Sequence, residues 1–156
     1  VRIKVLFEGE EIMGAYGSFE KSVQKSMNWL GELAEKDGVQ NKEEAYVILR
    51  AVLQTLRDRL TVEECAHFAS QLPSAIRGVY YDGWKPTQVP VKYNLSEFMQ
   101  AVRERCANID GDLDEEAVIS SVFDLLQRHV SEGEIEDIKG MLPKSFDALW
   151  PDQKAA

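Results

Sequence analysis

Cysteine and histidine are scarce in this sequence, with Cys65, Cys106, His67 and His129 the only examples in 156 residues. The cysteines stand 41 positions apart with no C-x-x-C spacing, each among apolar residues of helical period. They are expected as reduced, buried thiols rather than as a disulfide or a metal staple. Neither histidine has a serine or cysteine nucleophile at a recognisable spacing, so no catalytic residue can be nominated and an enzyme is not expected. A phosphate loop is absent too, since "GAYG" at 14–17 lacks the lysine and helix context such a loop needs. No apolar run is long enough to span a bilayer and no small-residue cleavage pattern follows the first residues, which predicts a cytoplasmic protein. Basic residues are outnumbered 18 to 27, and the net charge of -9 argues against nucleic acid and anionic membrane as partners. Both draw their affinity from clustered lysine and arginine.

Helical periodicity fills most of the chain. Phe19, Val23, Met27, Leu30 and Ala34 fall on one face of a helix over 18–36, closed by Gly38. Asn41 with Glu44 has capping-box spacing and opens the strongest helix, through Ala45, Ile48, Leu49, Val52, Leu53, Leu56 and Leu60. Thr61 with Glu64 repeats the device and turns Cys65, Phe68 and Leu72 inward, before Pro73 breaks the helix and a short one follows to about Tyr80. Residues 82–94 have no helical period and read as an extended connection. Beyond it, helices start at Asn94 with Glu97, at the acids after Asp110, and at Ser131 with Glu134; Pro143 stops the last of them and a short piece runs to Trp150. Between Asp110 and Asp137 ten carboxylates face a lone Arg128, which predicts a solvated negative edge.

An offset of 70 residues lays the second half over the first, pairing Val52 with Val122, Leu56 with Leu126, Leu60 with Val130, Glu64 with Glu134, Phe68 with Ile138, and Leu72-Pro73 with Leu142-Pro143. Cap, buried face and breaker stay in one frame, the mark of an internal duplication. The expected fold is therefore all-α, a duplicated unit of three to four helices per half, packed with pseudo-two-fold symmetry into one helical bundle. A half alone buries too little apolar surface for comfortable stability. The expected division is an N-terminal extension over 1–17, a first repeat over 18–81, a connector over 82–94, a second repeat over 95–150 and a tail over 151–156. The first twelve residues admit two readings: a start-site artefact ahead of a natural Met13, or a leading β-strand over "IKVLF".

The stretches "AVLQTLRDRLTVEECAHFASQLPSAIRGVYYDGWKP", "LSEFMQAV" and "VSEGEIEDIKGMLPKSFDALW" closely resemble the domain-of-unknown-function family numbered 2267. The most specific match is the run Gln71, Leu72, Pro73, Ile76, Arg77, Gly78, Tyr80, Tyr81, Gly83 and Trp84. Gly133-Glu134 and Leu142-Pro143 agree as well, and the likeness covers about residues 19–150. It implies an all-helical, duplicated bacterial domain and no established activity.

Glu64 and His67 have the Glu-x-x-His spacing of di-iron bundles, but the equivalent positions read Glu134 and Asp137. A capping-box glutamate turns its carboxylate back to the helix start, so Glu64 is expected as a cap, His67 as a surface residue, and no metal or cofactor. The acids from Asp110 open like a calcium loop, yet Glu115 stands where glycine is needed and Ser121 where a bidentate glutamate is needed. What remains is the segment by which the halves differ. Arg77, Tyr80, Tyr81, Trp84 and Lys85 either cover the seam between halves, aromatics buried, or form a binding surface. The expected function is a non-enzymatic helical interaction module using this surface for a protein partner or for self-association. The alternative is a small-ligand or anion sensor lined by Arg77, Tyr81 and Trp84, with an unrecognised enzyme third.

Overall fold

The computed structural model describes residues 2–152, with side chains from Gly9 onward. The described residues form seven α-helices and two 3-10 turns, with no strand. The helices are α1 (Arg2–Ala34), α2 (Lys42–Arg59), α3 (Val62–Ala69), α4 (Ser74–Tyr81), α5 (Leu95–Arg105), α6 (Glu115–His129) and α7 (Glu132–Met141). The 3-10 turns are Pro86–Gln88 in the connector and Lys144–Leu149 near the end. The all-α expectation therefore holds. A leading strand does not form, because residues 3–7 lie within the first turns of α1.

Five of the seven helices begin where a short polar side chain takes up a free backbone N–H, and α4 follows Pro73 with no such cap. Asn41, Thr61, Asn94, Asp114 and Ser131 accept from Glu44, Glu64, Glu97, Ala117 and Glu134 respectively. Only at α5 is the box reciprocal, with the Glu97 carboxylate accepting from the Asn94 N–H. Past the end of α1, Gly38 takes φ +83, and an added Cβ would meet Val118 Cγ1 at 3.1 Å. A side chain there would meet both backbone strain and α6.

The core runs through both sides of the connector. Helix α2 is almost wholly buried and packs against α1, α4, α5 and α6. Helix α1 also meets α4 and α6, while α3 meets α7. Phe98 is fully buried beside Phe123 and Phe146, and Trp150 stacks on Phe123 with centroids 4.1 Å apart. Polar ties lock the periphery. Lys36 Nζ reaches Asp124 at 2.5 Å, Ser121 donates to the Asp37 carbonyl, and His129 lies 2.7 Å from Glu32 while stacking on Trp29.

Helix α1 departs from its sequence reading in two respects: it begins at Arg2 and not near residue 18, and its packed face is turned. Of the positions whose spacing marks an apolar face, Leu30 and Ala34 pack partly buried against the core while Phe19, Val23 and Met27 are exposed, and Ser26, Trp29 and Leu33 take the buried places. The packed face is rotated because α1 lies in the angle between α2, α4 and α6, where the Ser22 hydroxyl accepts from the Ser74 N–H at the start of α4.

Candidate functional site

Within the segment 77–85, Arg77 and Tyr80 are committed to intramolecular bonds. Arg77 spends its guanidinium on the end of α3, donating from Nε to Ala69 O at 2.8 Å and from Nη2 to Leu72 O at 2.9 Å and Ser70 O at 3.3 Å. These carbonyls have no partner within the helix, and a guanidinium fork suits them. Tyr80 is fully buried, its hydroxyl donating to Cys65 O at 2.9 Å with Cys65 Sγ at 3.1 Å. Burial, with the Cys65 hydrogen bond second, pushes the Tyr80 phenol far above its ordinary range. Burial also raises the thiols, Cys106 to about 11, so both cysteines stay protonated and make poor nucleophiles at neutral pH.

Phe68, Tyr80, Tyr81 and Trp84 form a column of rings with successive centroids 5.5, 5.2 and 5.4 Å apart. Tyr81 and Trp84 are half-buried against the core. Of the five nominated residues only Lys85 is exposed, on the approach to the turn Pro86–Gln88. The structure thus brings Tyr80, Tyr81 and Trp84 into one column with Phe68, ties Arg77 to the end of α3, and leaves Lys85 outside.

The largest exposed apolar feature lies elsewhere, on α1. Ile12, Met13, Tyr16, Phe19, Val23 and Met27 are between 39% and 71% exposed. Ile12, Tyr16, Phe19, Val23 and Met27 recur at intervals of four and three along one helical face, with Met13 at its edge. From Glu10 to Lys21 every residue is exposed except Gly17, which is half-buried, so this part of the helix stands clear of the body. The periodicity from Phe19 to Met27 was legible; that the helix continues back through Tyr16 and Ile12, and that no neighbour covers this face, were not.

A third feature overturns an expectation. Glu64 does not fold back on the start of α3, and Glu134 does not fold back on α7. The Ser131 N–H is taken by Gln71 Oε1 at 2.7 Å, while Gln71 Nε2 donates to the Ser131 hydroxyl at 2.9 Å. Both carboxylates point into the contact between α3 and α7, each with an inaccessible Oε1 that no N–H or hydroxyl reaches, and the hydrogen bond Glu134 makes there is with Glu64 itself. Burial foremost, then the Glu64 carboxylate, pushes Glu134 up to about 8. The negative edge is also less solvated than its composition predicts. Asp124 pairs with Lys36 and Arg128, Glu115 with Arg103, and Glu134 is buried.

Taken together, a helical core, inert thiols and an outlying apolar helix face describe a small all-α domain. No helix among the described residues is long and apolar enough to cross a membrane. The family model described as uncharacterized conserved protein (DUF2267) matches residues 26–149, and the chain belongs to that family. The match begins within α1, so most of the exposed apolar face precedes it. A comparison with curated proteins found no match.

Proposed function

We propose that this protein is a non-enzymatic helical interaction module that associates with a second copy of itself through the exposed face of α1. The observation that carries this is the row of six large apolar side chains on a helix that stands clear of the body. Contiguous apolar surface of this kind marks interaction sites. The projecting part of α1 also contains Gly9, Gly14 and Gly17, each costing about 1 kcal/mol relative to alanine inside a helix. With no core beneath it, such a helix gains its support from a partner.

The second copy is favoured by charge and by area. Glu10 and Glu11 occupy the outer end of this stretch and Lys21 and Lys25 the inner end. An antiparallel pair crossing near Gly17 sets acid over base twice, whereas a parallel pair stacks like on like. The six side chains leave on the order of 100 Å² each, so pairing would bury about 1,200 Å² in total, the lower bound of specific interfaces. Light scattering coupled to size exclusion is expected to show a dimer that dissociates on dilution, and Phe19→Glu is expected to give a monomer with unchanged helix content. A wild-type chain that stays monomeric at about 100 µM sinks the reading. The ligand-sensor alternative has less support, since the Arg77 guanidinium is engaged by three carbonyls.

We further infer that the body is two copies of one helical unit. Under the 70-residue offset α2 falls on α6, α3 on α7, and α4 on the final 3-10 turn. The contact of Gln71 with Ser131 has its counterpart in Thr61 with Met141, whose hydroxyl and sulfur are 3.9 Å apart. If each unit depends on the other for its core, a fragment ending before Trp84 is expected to show no cooperative melt by circular dichroism. A fragment as heat-resistant as the whole chain would remove this inference.

A further inference from the structure

We propose that Glu64, Glu134 and Asp137 form a binding site for one hard divalent cation, which joins α3 to α7. The three residues each present an oxygen, and the three atoms lie within 4.8 Å of one another. Acidic clusters are common on protein surfaces, but two members of this one are interior. Glu64 is 6% exposed and Glu134 9%, each contributes an oxygen to the cluster, and each has an inaccessible Oε1 that no donor reaches. Buried carboxylate oxygens without a donor are costly, and a cation is the partner that satisfies several at once.

No lysine or arginine of the described residues makes an ion pair with any of the three. The nearest basic side chain along α7, Lys139, pairs with Glu136 instead. The usual occupation of a glutamate at this helical position, accepting from the cap N–H, is removed at α7 by Gln71. The carboxylate is thereby released toward α3.

Three carboxylates with open coordination positions select hard cations that prefer oxygen: magnesium, manganese or calcium. Glu64 and Asp137 line a cleft with Thr61, His67, Gly140 and Met141, through which water can complete the coordination shell. A hydroxyl and an imidazole at the rim are compatible with manganese, which accepts nitrogen as well as oxygen ligands. The site spans two helices far apart in sequence, so a bound ion would bear on the α3–α7 contact and not on a loop.

Manganese chloride is the probe, added to the full chain after treatment with a chelator. Electron paramagnetic resonance of free ion is expected to show one saturable site per chain, and the melting temperature is expected to rise with occupancy. Glu64→Gln and Glu134→Gln should each weaken binding by at least about tenfold, while the exposed Glu136→Gln should change it by less than about twofold. Circular dichroism separates loss of binding from loss of fold. Absence of saturable binding below about 1 mM overturns the proposal, the weak end of protein cation sites. Binding that Glu64→Gln and Glu134→Gln leave intact overturns it as well, and places the ion on the outer acids instead.

Discussion

Arg57→Ala is expected to lower the free energy of unfolding by about 3–5 kcal/mol, the range for stripping one partner from a buried charged network. Arg57 is 3% exposed. Its Nε lies 2.8 Å from Asp58 Oδ1, and its Nη1 donates to Tyr80 O at 2.8 Å and Asp82 O at 2.9 Å, the carbonyls that end α4. Alanine would leave the Tyr80 carbonyl without its side-chain donor, the Asp82 carbonyl with only the long bond from Gln54 Nε2 at 3.4 Å, and Asp58 with Arg105 alone, 2.7 Å away on its other oxygen. Lysine should recover only part of the loss, because one ammonium cannot reproduce the planar fork that reaches three acceptors. Urea denaturation measures the change, and the melting temperature should fall by about 10 °C for a chain of this size. A loss below about 1 kcal/mol would mean that water replaces these bonds freely.

The Glu64 and Glu134 pair yields the second large effect, of opposite sign. In metal-free buffer, Glu134→Gln is expected to stabilise the protein by about 3–5 kcal/mol above pH 8 and by little below pH 4.5. The folded-state value of Glu134, about 8, lies above its ordinary value of 4.5. The proton is therefore held more tightly in the folded chain, and stability is greatest below pH 4.5 and declines as pH rises through 8. The groups that face Glu134 are Glu64 from α3 and Asp137 on its own helix, with His67 and Glu136 at the mouth of the cleft. Glutamine removes the ionisation, and its amide N–H can donate to the Glu64 oxygen. Thermal melts of both proteins across pH 4–9 in a chelator test this. Parallel curves, with no growing gap, would show that Glu134 ionises in the folded chain as it does in the unfolded one.

These effects centre on residues that a linear reading treats as routine. Asn41, Thr61, Asn94, Asp114 and Ser131 announce helix starts because capping is local: the acceptor and its N–H lie three residues apart. Pro73 and Pro143 mark breaks for the same reason, and the fully buried periodic positions of α2 and α6 declare the core. The thiols of Cys65 and Cys106 were legible as buried and unpaired from their apolar neighbours, and both are free and buried. What each helix is packed against is not local. Glu64 at N3 of α3 has the spacing of a reciprocal cap, yet its carboxylate turns toward α7 and is buried there. At α7 the cap N–H goes to Gln71, sixty residues away in sequence.

For α1, spacing alone identified a helix and an apolar face, but which face is buried depends on where α2, α4 and α6 lie. The bundle takes Ser26, Trp29 and Leu33, leaving Phe19, Val23 and Met27 in solvent. Arg77, Tyr80, Tyr81 and Trp84 illustrate the same divide. Their composition suits a binding surface and a buried seam equally, because both call for aromatics with polar tips. Only tertiary structure supplies the partners, which for Arg77 are three carbonyls ending α3 and for Tyr80 the backbone of Cys65. The sequence by itself determined the helices, their caps and most of the core, since these depend on neighbours within one or two turns. The meeting of Glu64 with Glu134, and the stretch of α1 that stays uncovered, were decided by contacts between helices, which no local spacing encodes.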